Sequence, residues 1–376
     1  MYPSDEQRNL LNNFLGSSRF IYNYFLKEKE TRYKDGYNYF LKKMLLDLVP
    51  LQVEYPWLKN VDSCILRTSL FDLDDAYTRY FNKQCEKPRH KKKSFSNSYR
   101  TTCIRSTYKG HNYANIKVDL DRKTIKLPKL SEIKIRGYRN LKSFDNKKIL
   151  NATVSKVANK YYVSVCVEEQ IEVKEFILKN CVGIDVGIKN IVITSDGLKY
   201  NVMAKITKIE KKIKGLQKGL SRTQRGSKNR YKIIMKIQRT YEKLRNMRKY
   251  YIHLITKEIV RDNDLIVTEN LKVKDMITNG NKVLKKLLPN TSLSEISRQL
   301  EYKSKWQNKK LIKVNTYYAS SQLCSCCGYQ NKQVKDLKIR KWTCPKCNHE
   351  HDRDINASMN ILYEGITKYF KEQYKN

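Results

Sequence analysis

Three carboxylates stand out in a chain of 376 residues with formal net charge +40: Asp185 in GIDVGIKN, Glu269 in DLIVTENL and Asp354 in HDRDINASMNIL. Each lies in or beside an apolar run, where a carboxylate has no evident structural use. Glu269 follows Asp185 by 84 residues and Asp354 follows Glu269 by 85, so only a folded sheet with a helix packed on it can unite them. Three clustered carboxylates repel one another and partly protonate unless cations neutralise them. Magnesium suits such a set, because it takes hard oxygen ligands and keeps waters for a substrate. Two ions about 4 Å apart could activate water on one side of a phosphodiester and stabilise the leaving oxygen on the other; Asp185 would bridge both, with Glu269 and Asp354 each completing a shell. Singly, each acid also reads as a cap or turn residue. Asp352 is a better cap than Asp354 for the last helix, and Asp185 inside a strand is the hardest to dismiss.

A second constellation is local. Cys324-x-x-Cys327 and Cys344-x-x-Cys347, separated by 16 residues, have the spacing of a four-cysteine zinc site, and Gly328 frees the backbone to turn its amides toward the sulfurs. A Cys326–Cys344 alternative loses the two-residue knuckle, and His349 is the substitute ligand within reach. The segment is too short for a core of its own, so one structural zinc ion should supply its folding energy. The other five cysteines (Cys64, Cys85, Cys103, Cys166, Cys181) are scattered as reduced thiols are, not as a disulfide framework is.

The elements that must position these groups follow from periodicity. Ser4-Asp5-Glu6-Gln7 reads as a capping box opening a helix with Leu10, Leu11, Phe14 and Leu15 on one side; a second helical pattern runs through Phe20, Ile21, Tyr24 and Phe25. A third starts near Asp62 and carries Leu66, Leu70, Leu73, Tyr77 and Tyr80, which predicts a small helical bundle. Past the basic run Lys87–Lys93, short β-rich stretches up to about Glu169 predict a compact β-barrel, with Ile125-Lys126-Leu127 and Ile133-Lys134-Ile135 placing charge on one face. Val182–Gly187 and Ile191–Gly197 predict a hairpin across Lys189-Asn190 carrying Asp185. Two long amphipathic helices follow, an antiparallel pair whose turn from Arg222 to Arg230 is heavily basic. Asp264–Glu269 is a further strand with an acid at its carboxyl end, and Asp354 opens a last helix whose buried face is Ile355, Met359 and Leu362. Strand, hairpin, helices, strand and carboxylate-bearing helix is the order of a ribonuclease-H-like sheet, which makes the chain an α/β multidomain protein.

Composition names the partner class. With 77 Lys+Arg against 37 Asp+Glu, the charge far exceeds what solubility requires, and a polyanion is the natural counterpart; a merely solvated Lys-rich surface is the alternative. The 27 tyrosines often adjoin Lys or Arg, a pairing that can clamp a backbone and stack bases. No span has the apolar length of a membrane helix and no signal-peptide core opens the chain, so it is expected in the cytoplasm, associated with the nucleoid of a prokaryote.

GIDVGIKN, IVTEN, the double Cys-x-x-Cys and DRDINASMNI, in this order, resemble the TnpB family of transposon-encoded RNA-guided DNA endonucleases, relatives of type V CRISPR effectors. Tyr2–Gln7, Arg19–Asn23 and Trp57–Leu73 resemble its recognition lobe, so the likeness spans nearly the whole chain. It implies a RuvC nuclease domain (179–319 and 350–376) with Asp185, Glu269 and Asp354 as catalytic acids. It also implies a zinc-ribbon target-nucleic-acid-binding insert (320–349), a wedge β-barrel (1–4 and 88–178) and a helical recognition domain (5–87). The implied partners are a guide RNA from the transposon end and double-stranded target DNA with a short adjacent motif, with no protein partner required. Base pairing then reads the sequence. Two other functions use the same residues: an RNA-guided repressor that does not cut, and an unguided endonuclease or transposase. Family members carry a further β-stretch before the Tyr-Pro pair, whereas here Met1 directly precedes Tyr2, through a late start or a barrel lacking one edge.

Overall fold

The computed structural model describes residues 1–93, 97–108, 111–136, 148–170, 175–187, 190–201, 203–270, 278, 293–336 and 338–374. The chain divides into two compact units, residues 1–170 and 171–376.

In the first unit α1 (Asp5–Lys34) is capped by Ser4 with Gln7 reciprocating, as the capping box requires. It is one continuous helix where the sequence suggested two. Gly16 alone does not break it, because Leu11, Phe14, Leu15, Ile21 and Phe25 form a single buried stripe on both sides of that residue. An additional helix, α2 (Leu41–Glu54), contains Pro50, and α3 (Ser63–Phe81) starts from Asp62, whose side chain caps Cys64 N–H. Leu10 and Tyr80, expected on the apolar sides of α1 and α3, are exposed, whereas Leu66, Leu70, Leu73 and Tyr77 are buried. The strands are β1 (Ser98–Thr102), β2 (Arg105–Tyr108), β3 (His111–Ala114), β4 (Lys117–Asp119), β5 (Thr124–Lys126), β6 (Ile133–Lys134), β7 (Lys148–Val157) and β8 (Lys160–Glu168). They pair as β1-β7-β8, β2-β3 and β4-β5-β6, and no pairing among the described residues joins them into a closed barrel. The alternation on β5 and β6 holds: Ile125, Leu127, Ile133 and Ile135 are buried while Lys126 and Lys134 are exposed. Tyr2 bridges to Lys134, which ties the chain start to that sheet.

The second unit contains β9 (Cys181–Asp185), β10 (Val192–Thr194), β11 (Lys199–Tyr200), α4 (Met203–Ser221), α5 (Lys228–Asp262) and β12 (Leu265–Glu269). They are followed by α6 (Leu293–Trp306), β13 (Lys310–Val314), β14 (Lys341–Thr343), β15 (Glu350–Asp352) and α7 (Arg353–Gln373). Five strands form one sheet in the order β11-β10-β9-β12-β13; β9, β10 and β11 are antiparallel, and β12 runs parallel to both β9 and β13. The β9–β10 hairpin forms as expected, with the Lys189 end of its connection outside the described residues. Strand alternation divides the apolar side chains between two faces. Val182, Ile184 and Ile266 pack with Ile255, Ile259 and Leu300 of α5 and α6. Leu265, Val267, Ile312 and Val314 pack with Ile361 of α7. The central strands therefore read as nearly unbroken apolar runs, as strands covered on both faces must. Helices α4 and α5 are antiparallel, joined by Arg248–Glu210 at 2.7 Å and by Gln217 donating to Tyr241 Oη at 3.1 Å.

Candidate hydrolytic and zinc centres

Period-2 alternation sets the first two carboxylates. Thr268 of β12 is in register with Ile184 of β9, so the next residues, Glu269 and Asp185, end two adjacent parallel strands on the α7 face. The third comes from that helix. A Cβ placed on Gly183 would lie 2.1 Å from the Ser358 carbonyl oxygen and 2.7 Å from Leu362 Cβ; one on Gly365 would lie 2.2 Å from Val267 Cγ1. Only glycine allows this approach, which seats α7 on the Gly183–Val267 pair. Asp354 stands one turn before Ser358, and Asp185 stands two residues past Gly183 on the same face, so the seating brings these two together. The buried side of α7 is Asn356, Ala357, Ser358, Asn360, Ile361 and Gly365; Ile355, Met359 and Leu362, expected there, are half-buried. Ser358 and Gly365 are small where the helix meets the sheet, and Asn356 and Asn360 are buried because their amides bond the backbone of residues 320–325.

Electrostatics report the convergence. Burial first, and then the charges of Glu269 and Asp354, push the Asp185 carboxyl up to about 7, against the opposing pull of the Val186 N–H and the Arg353 charge. Burial likewise raises Glu269, although Ser320 Oγ donates to Glu269 Oε1 at 2.7 Å. Arg340 Nη1 lies 3.4 Å from Asp354 Oδ1. Asp352 is the cap of α7, accepting the N–H groups of Asp354 and Ile355 while Lys199 Nζ holds its other oxygen at 2.6 Å. Asp354 is thereby left free of the capping role. Buried carboxylate oxygens that also repel one another are donors that a hard divalent cation fits.

The four cysteines also meet. Their sulfurs lie within 4.8 Å of one another, with Cys324–Cys347 and Cys327–Cys344 each at 3.6 Å. A tetrahedral ion with Zn–S of about 2.3 Å has sulfurs about 3.8 Å apart, so the set fits zinc. The two knuckles are built alike. Gly328 N–H donates to the Cys324 carbonyl and Cys324 N–H to that of Tyr329; Asn348 N–H and Cys344 N–H repeat the pattern with Cys344 and His349. Gly328 and Asn348 both take the left-handed conformation these turns need, at φ of 73° and 57°. Burial pushes the Cys324 thiol up to about 12, while for Cys344, against burial, the N–H groups of Cys347 and Lys346 bring it down to about 7. The nearest imidazole is His351, not His349: buried His351 has Nε2 at 3.0 Å from Cys324 Sγ and its ring against Trp342. Asn348, His351 and Ser320 carried no signal beyond ordinary polar residues, and Asn356 and Asn360 stood only as letters of the DRDINASMNI motif. Gly183, inside an apolar strand next to an acid, is the one that spacing could have exposed.

The basic turn between α4 and α5 is partly committed to its own closure. Arg230 Nη1 donates to the carbonyls of Leu220 and Thr223, whereas Arg222, Arg225 and Lys228 are exposed.

Three family models match: "Probable transposase" over 164–280, "Cas12f1-like, TNB domain" over 294–361 and "Helix-turn-helix domain" over 1–42. In Escherichia coli (strain K12), "Putative RNA-guided DNA endonuclease InsQ" is 30% identical over 96% of this chain and 90% of its own length. The chain belongs to the TnpB family. A second TnpB relative, "Putative RNA-guided DNA endonuclease" of Streptomyces pristinaespiralis, is 30% identical over 97% of this chain and 88% of its own. The fold is shared with the Cas12f1 chain of a Cas12f1-sgRNA-target DNA complex at a TM-score of 0.57, 16% identity and coverage of 96% and 83%. Among the described residues of this TnpB chain no helix is long and apolar enough to cross a membrane.

Proposed function

We propose that this TnpB protein is an RNA-guided DNA endonuclease whose hydrolytic centre is Asp185, Glu269 and Asp354, in a RuvC nuclease domain formed by 179–319 and 350–376. What supports the reading is that Asp185 and Glu269 end adjacent parallel strands in register, while Asp354 begins the helix that Gly183 seats on those strands. This arrangement occurs within a chain that spans nine-tenths of a relative named for that activity. Asp185, Glu269 and Asp354 would hold magnesium, which when bound supplies Lewis-acid activation of water and stabilisation of the leaving oxygen. The chain's own contribution is orientation and exclusion of wrong geometry. Ser320 fixes one oxygen of Glu269, Asp352 takes the capping duty from Asp354, and the Gly183 contact sets the depth of α7. Asp185 is the carboxyl that burial, and then the charges of Glu269 and Asp354, keep protonated to about neutrality, so it would give up a proton to hold a cation.

The four cysteines would bind one zinc ion in a target-binding insert at 320–349, with 5–87 as recognition domain and 1–4 plus 88–178 as wedge domain. Guide RNA from the transposon end and target DNA with a short adjacent motif are the partners this reading assigns to the +40 charge. Arg222, Arg225 and Lys228 are the proposed phosphate contacts of the basic turn. The test is cleavage of DNA matching the RNA that copurifies with the expressed protein. Magnesium-dependent double-strand cutting that ribonuclease treatment abolishes is expected; cutting that survives RNA removal, or binding without cutting, would refute the guided-nuclease reading.

A further inference from the structure

We propose that the zinc knuckle positions the hydrolytic carboxylates through a chain of buried hydrogen bonds along α7, so that zinc occupancy and divalent-cation binding at Asp185, Glu269 and Asp354 are thermodynamically coupled. This rests on reading those acids as the magnesium site.

Asn356 and Asn360 stand one turn apart on α7 and are almost wholly buried, at 1% and 4% exposure. Buried amides are costly unless hydrogen-bonded, so their partners are informative. Asn356 Oδ1 accepts the Ser325 N–H at 2.9 Å and its Nδ2 donates to the Leu323 carbonyl at 2.6 Å. Asn360 Nδ2 donates to the same Leu323 carbonyl at 2.7 Å and to that of Ser320 at 2.8 Å. Leu323 and Ser325 flank Cys324, the first knuckle ligand. Ser320 in turn gives its hydroxyl to Glu269 Oε1. The path is therefore continuous from Cys324, through both asparagines, to one hydrolytic carboxylate, along the helix that carries another. The opposite side of the knuckle is gripped too: His351, three residues before Asp354, sets its Nε2 against Cys324 Sγ.

Loss of the ion would release the backbone at 323–325 and remove the acceptors and donor that hold both amides. Side chains behind metal ligands typically alter metal affinity about 10- to 100-fold. Coupling of this kind is reciprocal, so occupancy of the carboxylates should also tighten zinc.

The experiment titrates Mn2+ into the purified full-chain ribonucleoprotein by electron paramagnetic resonance, counting only the binding that Asp185→Ala removes, with zinc content measured on each sample. Ser320→Ala and Asn360→Ala should raise the Mn2+ half-saturation about 10- to 100-fold while zinc content stays at the wild-type level. Ser320→Thr, which keeps the hydroxyl, should restore it, and zinc-depleted Cys344→Ser should weaken Mn2+ in the same direction. Ser320→Ala removes one exchangeable hydroxyl, so its folding keeps the test open if Asn360→Ala does not fold. An Asp185-dependent Mn2+ site unaffected by Ser320→Ala and by zinc loss overturns the coupling alone. Absence of any Asp185-dependent site overturns the magnesium-centre reading and the coupling with it.

Discussion

The carboxylate centre and the cysteine knuckles are neighbours in one unit but are held by different physics. Asp185, Glu269 and Asp354 hang from a sheet whose two faces are filled by Leu265, Val267 and Ile361 on one side and Val182, Ile184 and Ile266 on the other. Their geometry is set by apolar burial and a glycine contact before any ion arrives. The ribbon's core is Cys324, Val334, Trp342 and Cys344, with little beyond the ligands themselves. Apolar area that small cannot order a segment of this length against its conformational entropy, so the ion must. On the proposed reading the carboxylate site takes its order from its scaffold, whereas the cysteine site draws much of its order from the ion.

The largest separation between the two regions should come from Asp185→Ala. Cleavage should fall by about 10³-fold or more, because several kcal/mol of charge stabilisation is removed, while target affinity changes little since no phosphate contact is touched. Single-turnover cleavage alongside filter binding tests this; a parallel loss of affinity would mean that the acid serves binding. Cys344→Ser should do the reverse at the level of structure. Hydrogen exchange across 320–352 should rise toward the unfolded rate, while β9 and β12 stay protected by their own core. Equal deprotection of β12 would show that the sheet also depends on zinc.

Gly183→Val probes the seating of α7. The new Cβ would meet backbone, not a flexible tip, so the helix must lift, at a cost of about 3 kcal/mol or more. Cleavage should be lost with zinc retained, and a thermal melt unchanged from wild type would break the account of how Asp354 is delivered.

Legibility in the sequence followed the range of the interaction. The knuckles are written in spacings of two residues, so the cysteine cluster from Cys324 to Cys347 was readable. The carboxylates, 84 and 85 residues apart, were readable only because Asp185 and Glu269 interrupt apolar strands that have no other use for charge. Asn356 and Asn360 look like exposed polar residues until the helix is docked, and α7's buried stripe was misplaced for that reason. The single helix α1 was divided because periodicity through Gly16 cannot show that α3 and β1 support both halves. Closure of the β-strands before Glu169 depends on long-range pairing, which alternation in one strand does not encode.

The pH dependence of stability measures what burying Asp185 beside two other acids costs. In magnesium-free buffer, folding raises the Asp185 carboxyl from 3.8 to about 7, so between those values the native chain holds a proton that the unfolded chain has released. Stability therefore falls as pH rises from about 4 to about 7 and stays low above it, by at most about 4 kcal/mol from this group. Asp185→Asn has no such proton to lose. It should match wild type near pH 4 and exceed it by a margin that grows to about pH 7 and then levels, with zinc retained throughout. Magnesium should then stabilise wild type and leave the variant unmoved, since the same charge that destabilises the empty site attracts the ion. Urea unfolding at pH 4, 6 and 8 measures the margin. A constant difference across that range would mean that folding does not raise the Asp185 carboxyl, and the contrast with the knuckles would disappear.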